Sequence, residues 1–328
     1  MIPIIIDCDP GIDDTAALIL ATAAAPELKL VGVTTVFGNV PVERTTLNAL
    51  KVLELCGAGH VPVAKGCARP ILRPARNAQF IHGATGLGRV DLPEPKFSPV
   101  AQHGVDFLIE TIRGAPAPIT LVAVGPLTNV ALAIVKEPEV MRRLERIVIM
   151  GGTLRGLGNM PNTSSFNVYA DPHATEIVLR SGLPLVVCTI DATHMVRSTP
   201  RQLKLLREVG NRHAGIIADL FEEHAFEGTP EQLAADTPVG GCMHDPCCIA
   251  YLLAPDIFDG RMVNVQVDTS SELSMGRTVI DWWGHSDNAP NAFVINRADA
   301  DAFFDLLRDK VALLSNFEDR CWPLHKRF

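Results

Sequence analysis

Short apolar runs alternate with amphipathic stretches along most of the chain. The runs at 3–7 (PIIID), 28–36 (LKLVGVTTV), 119–124 (ITLVAV), 146–150 (RIVIM) and 183–190 (LPLVVCTI) are too short for buried helices and are rich in β-branched residues. They are expected as strands. Helical spacing fills the gaps, with helices expected over 13–24, 42–56, 100–113, 127–136 and 171–181. Strands apolar on both faces and separated by helices predict an α/β fold. Its core is an open, mostly parallel doubly wound (Rossmann-like) sheet with helices on both sides. Pro and Gly concentrate at 66–97 and 114–118, as surface connections. Beyond 200 the pattern turns helical, over 201–210, 212–226 and 245–253, with a Gly- and Pro-rich segment at 227–241. Runs at 261–268, 276–283 and 291–296 are expected to form a small antiparallel addition carrying Trp282 and Trp283 as strand residues, closed by a helix at 298–314. No repeat or linker interrupts this series, so a single domain over 1–328 is expected.

The first strand runs into IIIDCDPGIDD, which sets Asp7, Asp9, Asp13 and Asp14 within eight positions. In an open parallel sheet this loop lies beyond the carboxyl end of a strand, where ligands bind. Two of the carboxylates could simply favour the amino end of the following helix. Four in one place are costly without a neutralising cation, and a hard divalent ion meets that need. The spacing does not fit the calcium loop of the EF-hand, because Gly11 and Leu18 fall where that loop needs other positions. The remaining ligands are therefore sought at other strand ends: Asn39, Thr128 and Asn129, Asn159 and Asn167, and His244 beside Asp245. This set is rich in amides and carboxylates and poor in Lys and Arg, which suits the hydroxyls of a polyol better than a phosphate.

Charge and composition narrow the picture further. With 29 Lys and Arg against 37 Asp and Glu, the formal charge is −8 and no basic stripe tracks a nucleic acid backbone. The amino terminus lacks a cationic, apolar leader, and the run Ala16 to Ala25 is too short to span a bilayer, so a cytoplasmic protein without membrane or nucleic acid partners is expected. Eight scattered cysteines with no CxxC pair predict reduced thiols rather than a disulfide framework or zinc site.

The motifs DCDPGIDD, TTVFGN, IHGATGLG, VGPLTN, VIMGG, FNVYADP and HDPC, in this order, resemble those of the inosine/uridine-preferring nucleoside hydrolases. The likeness runs from about residue 3 to the end of the chain, and the D-x-D-P-G-x-D-D signature is its most specific part. It implies a calcium-dependent nucleoside N-ribohydrolase of purine or pyrimidine salvage, working as a homodimer or homotetramer and giving free base and ribose. Carried onto this sequence, Asp9, Asp14, Asp245 and the Val124 carbonyl would ligate Ca2+, and Asp9 would act as general base on calcium-bound water. Asp13, Asn39 and Asn167 would hold the ribose, Met150 would lie beside it, and Asn159 would reach toward its 5′ end. His82 would line the pocket, and His244 would serve the leaving base as acid. Asp7 would orient the loop from behind, and His194 is expected to be structural. The segment 222–243, with Phe226 and Gly228, Gly240 and Gly241, would close over the base.

One position departs from the family pattern: Ser165 stands where a Glu normally precedes Phe and Asn, which weakens the expected grip on the 5′ hydroxyl. Two rivals remain at this point. Aspartyl-phosphate phosphatases also set two aspartates two apart after a first strand, but they need a cation for the phosphate. A non-catalytic nucleoside- or ribose-binding protein would keep the cavity without the chemistry.

Overall fold

The computed structural model describes residues 1–160, 163–223 and 240–314. Ten strands are β1 (Ile2–Cys8), β2 (Leu28–Thr35), β3 (Val63–Lys65), β4 (Thr120–Ala123), β5 (Arg146–Met150), β6 (Leu185–Cys188), β7 (Phe258–Val263), β8 (Val265–Val267), β9 (Thr278–Ile280) and β10 (Ala292–Ala298). Eight of them form one sheet in the order β3-β2-β1-β4-β5-β6-β10-β7. All neighbouring pairs are parallel except β10 with β7, which closes one edge. This is the expected doubly wound α/β sheet.

The alternation of side chains along each strand explains why the runs are apolar throughout. Ile4 and Ile6 of β1 enter one core, while Ile5 between them enters the other. Val122 of β4 and Val148 of β5 join the first, and their neighbours Leu121, Ala123, Ile147 and Ile149 join the second. A strand with helices on both faces has no solvent side on which to place a polar residue. The first core is covered by the helices Ile12–Ala23, Val42–Leu55, Arg212–Glu222, His244–Leu253 and Ala300–Ala312; the second by Gly104–Gly114, Thr128–Lys136 and Pro172–Leu179. Ile12–Ala23 is buried on nearly every side, which accounts for its run of alanines and leucines.

The structure revises the carboxyl-terminal third. The run at 291–296 does not belong to a small separate sheet: β10 pairs with β6 and extends the main sheet, with β7 antiparallel beyond it. Only β8 and β9 form a separate two-stranded piece. Alternating apolar residues identify a strand but carry no information about its partner. Trp282 and Trp283 lie after β9 rather than in it, with the Arg261 guanidinium 3.9 Å from the centroid of the Trp282 ring. β3 went unread because three residues are too few to show a period. Among the described residues no helix is long and apolar enough to cross a membrane, and none of the seven cysteines there is in a disulfide.

Sheet order reverses between β1 and β4, where the chain leaves the centre in opposite directions. Loops diverge at such a point and leave a crevice. The Asp7–Asp14 loop occupies it.

Candidate active site

Asp9 sits at the closest approach of three loops. A Cβ on Gly38, after β2, would lie 1.9 Å from Asp9 Oδ2, and one on Gly125, after β4, 2.6 Å from Asp9 Oδ1. The FGN and VGP motifs therefore carry glycine so that two backbones can meet one carboxylate. The Asn39 N–H donates to Asp9 Oδ2 at 2.7 Å, and the Asn39 side-chain amide donates to the Asp9 carbonyl at 3.1 Å and to Asp14 Oδ2 at 2.9 Å. Asp14 also accepts the N–H groups of Asp9 and Gly11, each at 3.0 Å, so it locks the turn that introduces it. Asp9 Oδ1 is buried with no hydrogen-bond partner among the described residues. Asp7 lies behind the loop, where its Oδ1 accepts the Thr34 hydroxyl and the Asn129 amide, the latter at 2.8 Å.

Asp245, in the first turn of His244–Leu253, brings a further carboxylate from a distant part of the chain. Oxygens of Asp13, Asp14 and Asp245 lie within 4.8 Å of one another, close enough to share one metal ion. Asp9 is not part of this trio; Asp13, assigned to the ribose by resemblance, is. Burial holds the carboxyls of Asp9, Asp14 and Asp245 above the usual carboxylate range, reinforced at Asp9 and Asp245 by their acidic neighbours. Asp13 is pushed up to about 8 by desolvation and the charge of Asp14, and Asp7 to about 7 by desolvation alone, against its two hydrogen bonds. Like charges so crowded need a cation, and a set of hard oxygen donors with one buried oxygen lacking a partner fits a calcium-like ion.

A cavity of about 300 Å³ opens above the acids. Asp13, Asn39, His82, Val124, Met150, Asn159, Ser165, Asn167, His244 and Asp245 are among the residues that line it; Asp9 and Asp14 lie beneath the surface. His82 Nδ1 accepts the Ile12 N–H at 3.1 Å, fixing the ring against the amino end of the first helix. Asn167, which lines the cavity, donates through Nδ2 to the Val124 carbonyl and, at 3.3 Å, to the Met150 carbonyl, bonds that do not engage its Oδ1. Ser165 Oγ accepts the Gly152 N–H at 2.7 Å, and Asn159 Oδ1 accepts the Phe166 N–H at 2.9 Å. His244 Nδ1 meets the Thr193 hydroxyl at 2.6 Å. Burial, then the adjacent His194, Arg197 and His82, press the His244 imidazole down to about 3, so it is neutral at physiological pH.

Three polar lining residues were given no place in the site by the sequence motifs. His194 does not merely support the fold: it faces the cavity with its ring centroid 5.6 Å from that of His244. Cys242 lines the same wall, as does Arg197, which gives a site read as poor in cations one guanidinium, tied to the Gly240 carbonyl at 3.0 Å. Helix spacing and motif order do not mark these positions, because the loops carrying them meet only in three dimensions. Gly240 and Gly241 line the cavity, whereas Phe226 and Gly228 fall outside the described residues.

An acid cluster at the switch point of a doubly wound sheet, opening on an amide-lined cavity, offers donors for a metal ion and for a hydroxyl-bearing ligand. Comparison with known proteins gives the family. The model of the inosine-uridine preferring nucleoside hydrolases matches residues 4–305, and the chain belongs to this family. A relative from Enterobacter sp. (strain 638), the pyrimidine-specific ribonucleoside hydrolase RihA, is 40% identical over 323 residues, covering 96% of this chain and 99% of its own. Among solved structures, the purine-preferring ribonucleoside hydrolase from Gardnerella vaginalis aligns with TM-score 0.84 at 29% identity over 95% of this chain and 98% of that one. A plant nucleoside hydrolase aligns with TM-score 0.84 at 30% identity over 94% and 98%. The chain is thus an enzyme, a nucleoside N-ribohydrolase by family.

Proposed function

We propose that the chain hydrolyses the C1′–N bond of ribonucleosides in a calcium-dependent reaction. The observation that carries this reading is the cluster of half-buried Asp13 with the buried carboxylates of Asp9, Asp14 and Asp245 at a cavity lined by Asn39 and Asn167. Asp14, Asp245, Asp9 through its unpartnered Oδ1, and the second lone pair of the Val124 carbonyl would hold the ion. Calcium so held would supply positive charge that fixes the ribose diol and eases deprotonation of water.

The remaining steps belong to the chain's own groups. Asn167 Oδ1 and Asp13 accept ribose hydroxyls and set C1′ over the acid floor. As the C1′–N bond breaks, its electron pair leaves with the base and positive charge grows on the ribose, which the nearby carboxylates stabilise. Water attacks C1′ from the side opposite the base and passes a proton to Asp9. With the Thr193 hydroxyl donating to Nδ1, His244 carries its proton on Nε2; being neutral, it assists the departing base as an N–H donor.

Ser165 and Asn159 are engaged with backbone N–H groups, which supports a loose hold on the 5′ hydroxyl. Sites built to bond a substrate hydroxyl reject analogues lacking it by about 10⁴-fold. The penalty for 5′-deoxyuridine relative to uridine is expected to be far smaller. Between bases, the name of the 40% identical relative favours uridine and cytidine over inosine. The test is release of base and reducing sugar from uridine, cytidine, inosine and 2′-deoxyuridine with calcium present. Release from ribonucleosides, weakest for the 2′-deoxy substrate, is expected. Intact nucleosides throughout, or phosphate release from an aryl phosphate instead, would overturn the reading.

A further inference from the structure

Beside the acid floor, the cavity wall brings two imidazoles and a thiol together, of which the proposed hydrolysis uses His244 alone. His194, Cys242 and His244 place one ligand atom each within 4.8 Å of the others, and all three line the cavity while remaining partly accessible from it. They come from two separated stretches, 193–194 and 242–244, which a backbone bridge between Arg197 and Cys242 holds in register. We propose that His194, Cys242 and His244 form a binding site for a soft divalent metal ion such as Zn2+, separate from the carboxylate cluster.

Ligand type supports the assignment. Two imidazoles and a thiolate select zinc and similar ions, whereas calcium takes oxygen donors, so the two sites sort hard from soft cations by chemistry. Three protein ligands with a fourth position toward the cavity match the open form of zinc coordination. The contact of His244 Nδ1 with the Thr193 hydroxyl is the kind of outer bond that orients a metal-bound imidazole and leaves Nε2 for the metal. On binding, the Cys242 thiol yields its proton to solvent and its sulfur forms the bond to the metal, with no change of oxidation state, while the His244 proton passes from Nε2 to Nδ1, which then donates to the Thr193 hydroxyl. Occupancy would take His244 and one wall of the cavity away from substrate, so zinc would inhibit; this consequence alone rests on the reaction proposed above.

The test uses the full chain saturated with calcium and Co2+ as the spectroscopic stand-in. Equimolar uptake is expected, with a near-ultraviolet thiolate-to-cobalt charge-transfer band that Zn2+ abolishes by displacement. In Cys242→Ser the band should vanish and Zn2+ affinity fall at least about 100-fold, more than loss of an outer bond costs. His194→Asn should likewise weaken Zn2+ binding, with the thiolate band lost or shifted, which covers failure of the first variant to fold. A band unchanged in Cys242→Ser, or Zn2+ bound only after calcium is stripped, would overturn the proposal. Neither outcome depends on whether the protein hydrolyses nucleosides.

Discussion

Gly38→Ala puts the tightest approach in the site to a quantitative test. A methyl group at residue 38 would lie 1.9 Å from Asp9 Oδ2 and 2.7 Å from its Cγ, where real Cβ contacts do not fall below 3.0 Å. The carboxylate or the loop must move by about 1.1 Å to restore that separation. Asp9 cannot swing freely, because Gly125 crowds Oδ1 from the other side and the Asn39 N–H holds Oδ2 at 2.7 Å. A displacement of about 1 Å in a positioned group costs on the order of 100-fold in rate, equivalent to about 2.7 kcal/mol of transition-state stabilisation. The same crowding costs about 1–3 kcal/mol of fold stability, as overpacking does. The assay is kcat/KM for uridine beside a thermal melt and calcium titration, with Gly114→Ala, whose Cβ would meet nothing within 4 Å, as control. Loss of activity with the melt still cooperative is expected, and the control should match the parent. A Gly38→Ala enzyme within a few-fold of the parent would refute the placing of Asp9 at the chemistry.

The other predictions concern stability and protons. Asn129 donates to Asp7 Oδ1 and the Thr35 carbonyl and accepts the Cys67 N–H; Asp7 Oδ1 keeps the Thr34 hydroxyl and the Thr35 carbonyl the Gly66 N–H, so Asn129→Ala strands the Cys67 N–H and should cost roughly 1–3 kcal/mol, read by urea unfolding; a change too small to resolve would contradict it. In metal-free protein the raised carboxyls, about 7 at Asp7 and about 8 at Asp13, keep protons that the unfolded chain has already lost. Their contribution to stability is therefore full below about pH 4 and disappears as pH climbs to about 8. Thermal melts with chelator should fall across that window, and the stabilisation given by calcium should grow across it as protons cease to compete; a chelated protein whose melting point rises with pH would contradict this.

The fold was legible where packing imposes a pattern. Ile4, Ile5 and Ile6 had to be apolar because both faces of β1 are covered, and that continuity is what a parallel strand looks like in sequence. The placement of β10 was not legible, since its residues would suit either the main sheet beside β6 or a hairpin of its own. In the site, Asp13, Asn39, His82 and Asn167 of four separate motifs meet at one cavity, because each lies in the chain that follows a strand, Asn39 in a loop and the others in helices. His194, Cys242 and Arg197 had no such marker. That oxygens of Asp13, Asp14 and Asp245 come within 4.8 Å of one another depends on side-chain directions that spacing does not encode.

Calcium re-addition tests the central claim most directly. Protein stripped with a chelator should release no base from uridine above the uncatalysed rate, and a calcium titration should restore release in step with binding of one ion, while Asp14→Asn recovers little at any calcium concentration. Undiminished turnover in the stripped enzyme, or restoration that tracks no calcium binding, would contradict it.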